Sequence, residues 1–219
     1  MTRAKVRAAA LLALAAAVLA AGSSSAAFPP RITFDDGVLS GDVTDRSAVI
    51  WTRANLRPLT RVEYGTSPAL GRTSRDFGPP PPDVDRTIRL ELTGLEPGTR
   101  YSYRVVAHEG GGAATGASLV GSFRTAPDPA APAEVTFAWA ADMSLRFKPY
   151  RIFDAIRAQA PDFFLFLGDT AYTDVDMNAH TLDEYRAAHL RNRDDEAFHR
   201  FARATSIYAV WDDHEVGNN

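Results

Sequence analysis

The sequence predicts an all-β sandwich over residues 28–128 followed by a partial α/β domain over residues 134–219. Three observations carry this. Short runs of β-branched and aromatic residues, bounded by turn residues, recur from Ser47 to Arg124. A proline-rich break, Ala126-Pro-Asp-Pro-Ala-Ala-Pro132, then interrupts them. Beyond it, apolar runs alternate with helix-like patterns, and three of those runs end at an acidic residue.

The 219 residues are 45% hydrophobic and 23% charged, a globular composition with room for one or two domains. A formal net charge of -3 gives no sign of a nucleic-acid-binding surface. The absence of cysteine excludes disulfides and thiolate metal sites. Arg3, Lys5 and Arg7 precede an Ala/Leu/Val run, Ala8 to Ala21, shorter than the roughly 20 residues of an ordinary membrane span. A small-residue cleavage site follows at Ser25-Ala26-Ala27. Residues 1–27 therefore read as a signal peptide, with a membrane anchor or a disordered start as the alternatives. The expected location is secreted, periplasmic or cell-envelope, with no membrane span after cleavage. No Arg-Arg pair supports a twin-arginine route.

Within the sandwich, Ser47-Ala-Val-Ile-Trp-Thr-Arg53 follows turn signals at Gly41-Asp42 and Thr44-Asp45. Arg61-Val-Glu-Tyr64 stops at Gly65. Thr87-Ile-Arg-Leu-Glu-Leu92 alternates with Ile88, Leu90 and Leu92 on one face. Tyr101-Ser-Tyr-Arg-Val-Val106 follows the turn Glu96-Pro97-Gly98, and Leu119 to Arg124 is a last strand. Gly110-Gly-Gly112 is a hairpin tip, since no helix pattern follows it as a phosphate loop requires. Pro79 to Pro82 is a stiff surface loop.

The second part opens with Val135-Thr-Phe-Ala-Trp-Ala-Ala141, which runs into Asp142. Ile152, Phe153, Ile156 and Ala160 then form an apolar stripe at helical spacing. Phe163-Phe-Leu-Phe-Leu167 is apolar at every position and ends in Gly168-Asp169. That suits a strand covered on both faces, although periodicity alone also admits a buried helix segment. Strand, helix and strand make a βαβ unit with parallel strands, so Asp142 and Asp169 leave the same sheet edge. Thr181-Leu-Asp-Glu184 has capping-box form, and a second helix pattern runs from Asp194 to Ala204. The charged run Arg191 to Glu196 reads as a solvated turn. A third strand, Ile207 to Trp211, runs into Asp212-Asp213-His214-Glu215.

The three strand ends offer Asp142, Asp169 with Tyr172, and Asp213 with His214. Adjacent titratable groups repel one another unless a cation or a strong hydrogen-bond network compensates them, which favours a metal site. Oxygen-rich ligands suit hard cations such as calcium, magnesium or ferric iron. Two cations about 4 Å apart could clamp a phosphate oxygen and hold a bridging hydroxide as nucleophile, with His214 as a proton donor. The chemistry expected is hydrolysis of a phosphate ester. Asp212 either orients its loop or binds metal, and Glu215 supports the loop. Asp174, Asp176 and Asn178 imitate the opening of a calcium loop, but Ala179 replaces the required glycine and Tyr185 the final glutamate. His108, His180, His189 and His199 read as surface or packing residues, and Trp51, Trp139 and Trp211 as core.

Leu95-Glu-Pro-Gly-Thr-Arg-Tyr-Ser-Tyr-Arg-Val105 resembles the corner and strand of a fibronectin type III-like domain. Gly37-Val-Leu-Ser-Gly-Asp-Val-Thr44 with Ala48-Val-Ile-Trp-Thr-Arg53 resembles the N-terminal domain of PhoD-type alkaline phosphatases. Gly168-Asp-Thr-Ala-Tyr172 is similar to the Gly-Asp-x-x-Tyr motif of the calcineurin-like metallophosphatases, whose domain is four-layered. Trp211-Asp-Asp-His-Glu215, with Asn218-Asn219, is similar to a motif of the PhoD branch. The resemblance implies a phosphatase or phosphodiesterase using Fe3+ with Ca2+. It implies Asp142 as the first metal ligand, Asp169 as the bridge between metals, Tyr172 on the ferric ion, Asp213 on the second metal and His214 on the phosphate. Two departures stand out. Many members have a Ser-Cys pair where this chain has Asp142-Met143-Ser144, and the later aspartate and histidine ligands have no counterpart here. The chain thus reads as an N-terminal portion without a complete site. The alternative is a non-catalytic chain whose sandwich only binds or packs.

Overall fold

A computed structural model describes residues 31–110 and 112–217, so the signal-peptide reading and the Asn218-Asn219 pair lie outside the described residues. The first eight strands are β1 (Val38–Gly41), β2 (Ser47–Arg53), β3 (Leu59–Gly65), β4 (Arg72–Thr73), β5 (Thr87–Thr93), β6 (Arg100–His108), β7 (Ala114–Ala117) and β8 (Gly121–Arg124). One sheet has the order β1-β2-β5. The other has β4-β3-β6-β7, with β8 also paired to β6, and all of these pairs are antiparallel. Alternation turns Ala48, Ile50, Ile88, Leu90 and Leu92 inward, where they meet Val62, Tyr101, Tyr103, Val105 and Phe123 of the facing sheet in one core. The Glu96-Pro97-Gly98 turn is closed by the Glu96 N–H, which donates to the Tyr101 hydroxyl at 3.0 Å. Strands β1, β4 and β7 are additions to the sequence reading. They are short, and β7 (Ala-Thr-Gly-Ala) offers little β signal.

Three further strands, three α-helices and two short helical turns (Leu145–Phe147 and Asp213–Glu215) complete the described chain; the strands and α-helices are β9 (Phe137–Ala140), α1 (Ile152–Ala158), β10 (Phe163–Leu167), α2 (Leu182–Arg193), α3 (Glu196–Ala202) and β11 (Ser206–Val210). The central β10 pairs in parallel with both neighbours, Phe163 standing opposite Phe137 and Ser206. Thr181 and Glu184 form the capping box at the start of α2, and the Asp195 side chain caps α3 through the Phe198 N–H. One face of the sheet is packed: Phe164 and Phe166 meet Phe153, Phe198 and Phe201 edge-on or tilted.

Four sequence expectations need correction here. β10 is covered on one face only, because Phe163, Leu165 and Leu167 share a face with Phe137 and Trp139 that no described element covers fully. Trp139 is 64% and Trp211 72% exposed, so neither belongs to a core. The α1 stripe is narrower than its spacing implied, since Ile152 is exposed and Ala160 lies beyond the helix with a positive φ. Helix α2 continues to Arg193, so the charged run from Arg191 is partly helical.

Strand β1 joins the two sets of sheets. Leu39 packs against the phenylalanine cluster, and Ser40 Oγ lies 3.2 Å from Ser206 Oγ. The Tyr208 hydroxyl donates to the Val43 carbonyl at 2.8 Å, and the Ser122 N–H donates to the Arg203 carbonyl at 2.7 Å. Glycine is needed where backbones approach so closely: a Cβ on Gly121 would stand 2.6 Å from the Arg203 carbonyl and 2.7 Å from the Tyr103 ring. Gly121→Ala is therefore expected to destabilise the chain by about 1–3 kcal/mol through overpacking. Urea unfolding of the variant checks this, and an unchanged midpoint would contradict the close approach.

Candidate metal centre

The parallel register fixes the site. Ala140 pairs with Phe166, and Leu167 with Val210, so all three strands end along one edge. Asp142, Asp169 and Asp212 each follow the last residue of their strand by two. Asp142 and Asp169 have left-handed backbones, with φ of 62° and 52°. Such conformations are costly for non-glycine residues and persist only where surroundings enforce them. Gly168 precedes Asp169 with a φ of 98°, and a Cβ there would lie 2.4 Å from the Asp212 Cβ. The abrupt turn from apolar strand to Gly-Asp thus reflects a real crowding of two strand ends.

These turns bring the candidate side chains together. The Tyr172 hydroxyl donates to Asp142 Oδ1 at 2.8 Å, with Asp169 Oδ2 at 3.2 Å. Asp169, Asp213 and His214 each offer a ligand atom, all within 4.8 Å of one another. The His214 ring lies against Tyr172, with centroids 4.2 Å apart. Burial raises the Asp169 carboxyl above the usual range, although His214 and the Tyr172 hydroxyl oppose it. Burial, followed by the Asp142 and Asp169 carboxylates, pushes the Tyr172 phenol well up. The phenol therefore keeps its proton unless added positive charge offsets both carboxylates. Three carboxylates, one phenol and one imidazole form an oxygen-rich set that fits a hard cation.

Three residues hold this arrangement. Glu215 is buried and its carboxylate accepts from the Asp169, Thr170 and Asp212 N–H groups and from the Thr170 hydroxyl. Burial alone would raise the Glu215 carboxyl, but these donors outweigh it and hold it below its ordinary value. Asp212 caps the short 213–215 helical turn, its Oδ1 accepting from the Asp213 N–H at 2.9 Å. Asp174 contacts His214 Nδ1 with both oxygens, at 2.8 and 2.9 Å. That leaves Nε2 as the ring nitrogen open to a ligand or to proton transfer.

Asp174 is the residue whose role the sequence reading missed. Its place in the Asp174-x-Asp176-x-Asn178 pattern suggested only an imitation of a calcium loop. The structure separates that pattern: Asp174 serves His214, while Asp176 Oδ2 accepts from the Leu145 N–H at 2.9 Å and the Ser144 hydroxyl at 3.2 Å. No local signal could link Asp174 to a histidine 40 positions later. His108, by contrast, is buried in the sandwich beside Asp76, as a packing residue would be.

Comparison with known proteins gives a consistent result. Residues 20–127 match the family model "PhoD-like phosphatase, N-terminal domain", and residues 137–219 match "PhoD-like phosphatase". Alkaline phosphatase D of Bacillus subtilis (strain 168) is 28% identical over 215 residues, covering 85% of this chain and 36% of the relative. A solved structure of PhoD superposes with a TM-score of 0.73 at 26% identity, covering 85% of this chain and 40% of that one. A fibronectin type III domain of human collagen alpha-1(XX) reaches a TM-score of only 0.32 at 24% identity, over 51% of this chain and 93% of that one, too slight a similarity to define the type of sandwich. This chain thus spans little more than a third of the length of the curated relative it matches. The chain belongs to the PhoD-like phosphatase family and corresponds to its N-terminal portion.

Proposed function

We propose that this chain forms the first part of an exported, metal-dependent phosphoesterase that hydrolyses phosphate mono- or diesters. The observation that carries the reading is the convergence of Asp142, Asp169, Tyr172, Asp213 and His214 on one sheet edge, in a chain with this family membership. Within the proposal, residues 28–128 are a fibronectin III-like sandwich, and residues 134–219 are part of a four-layer metallophosphatase domain. Export rests on the basic, apolar and small-residue order of residues 1–27. Among the described residues no helix is long and apolar enough to cross a membrane.

Asp142 and Tyr172 would hold one ion, Fe3+ by the family resemblance, Asp169 would bridge, and Asp213 would hold the second, Ca2+. When bound, such a pair supplies Lewis-acid charge at the phosphoryl oxygens and a nucleophilic water. The protein's own groups do the rest. Asp174 fixes the His214 ring, so that Nε2 can carry a proton to the departing ester oxygen. Glu215 holds the Asp169 and Asp212 backbones in place while charge develops. Four side chains of the described residues, Asp142, Asp169, Tyr172 and Asp213, would hold metal, whereas calcium alone takes about six to eight oxygens. Completion of the site by further polypeptide is part of the proposal.

Asp169→Asn in a full-length protein carrying this segment is expected to remove most bound metal and turnover on nitrophenyl phosphates. Metal analysis beside the assay checks it, and unchanged activity would rule out the bridging role. His214→Ala should lower kcat by about 10²–10⁴-fold with metal content retained. A variant of wild-type kcat would remove His214 from the chemistry.

The Asp174 hydrogen bond raises the His214 imidazole above its ordinary value of 6.5, outweighing the effect of burial. A raised folded value means the stabilisation is complete below about pH 6.5 and fades as pH rises through the folded midpoint. NMR titration of the metal-free chain should therefore give His214 a higher midpoint than His189 or His199, which burial lowers. Asp174→Asn should bring the His214 midpoint down. An unmoved midpoint would mean that Asp174 does not control the ring.

A further inference from the structure

Asn192 is 1% exposed in the last turns of α2, and its side-chain nitrogen is spent on the site's loops. Its Nδ2 donates to the Met143 carbonyl at 2.6 Å and to the Thr170 carbonyl at 2.5 Å. Its Oδ1 accepts from the Tyr150 hydroxyl. Met143 directly follows Asp142, and Thr170 directly follows Asp169. The same two loops are tied once more by the Met143 N–H, which donates to the Asp169 carbonyl at 2.8 Å.

The geometry points to Asn192 as a positioning residue that fixes the spacing of Asp142 and Asp169 for a metal ion, acting through backbone carbonyls without ligating the ion. This rests on the metal-centre reading above. Both aspartates have left-handed backbones, which persist only where their surroundings enforce them. One amide group, with two hydrogens, holds the carbonyl of the residue that follows each aspartate. The assignment of Nδ2 follows from the chemistry: two carbonyl oxygens require donors, and the Tyr150 hydroxyl requires an acceptor. Tyr150 is itself anchored, its N–H donating to Asp195 Oδ2 at 3.1 Å and its ring meeting Phe153 edge-on. The clamp therefore runs from the α3 cap and the aromatic core to both metal-binding loops.

A purely structural asparagine would affect folding but not metal affinity in a chain that still folds. Calorimetric titration of a full-length protein carrying this segment with Mn2+, a carboxylate-seeking probe, separates the two. In Asn192→Ala the freed space admits water, so the carbonyls stay hydrated while the clamp is lost. Its Mn2+ affinity is expected to fall about 10- to 100-fold, the usual effect of losing a group that orients ligands. Tyr150→Phe keeps the ring and removes only the hydroxyl, and should weaken binding in the same direction by less. If Asn192→Ala does not fold, as judged by circular dichroism, Tyr150→Phe decides. Wild-type affinity in a folded variant would overturn the positioning role and leave the metal centre intact. Full-length wild-type protein that binds no Mn2+, or binding unaffected by Asp169→Asn, would overturn the metal-centre reading and the positioning role with it.

Discussion

The buried carboxylate of Glu215 is the interaction on which the site depends. It receives the Asp169 and Thr170 N–H groups from the end of β10 and the Asp212 N–H from the end of β11. A buried charge is tolerated only when donors surround it, and these donors are the backbone of the two strand ends. The same contacts hold Asp169 in its left-handed turn and seat the short 213–215 turn that carries Asp213 and His214. Gly168 is glycine because this closure leaves no room for a side chain beside Asp212.

Around that closure the sheet is asymmetric. On one face Phe164 and Phe166 are sealed by α1 and α3, and Leu39 of the sandwich adds to the same cluster. On the other face Phe137, Trp139, Leu167 and Val210 stand exposed in register. Parallel sheets are ordinarily buried on both sides. The packed half of the described chain, from the sandwich through β1 to the phenylalanine cluster, is thus the half that supports the strand-end loops.

Legibility in the sequence followed the range of the interactions. Strand ends marked by an apolar run that stops at Gly168-Asp169 or at Asp212-Asp213 are local signals, and parallel pairing then forces their acids to one edge. The Thr181–Glu184 capping box is equally local and was readable as such. Asp174 and Asn192 act across 40 or more positions, on His214 and Met143, and nothing beside them in the chain announces it. The exposure of Trp139 and Trp211 was illegible for a related reason: an aromatic side chain records what it can pack against, not whether a partner layer is present.

The central claim is that these strand ends hold metal. An anomalous difference map collected at the iron edge, from crystals of a full-length protein grown with Fe3+ and Ca2+, tests it most directly. A peak bounded by Asp142, Asp169 and Tyr172 is the predicted result. Iron bound elsewhere, or none in a folded protein supplied with it, would contradict it.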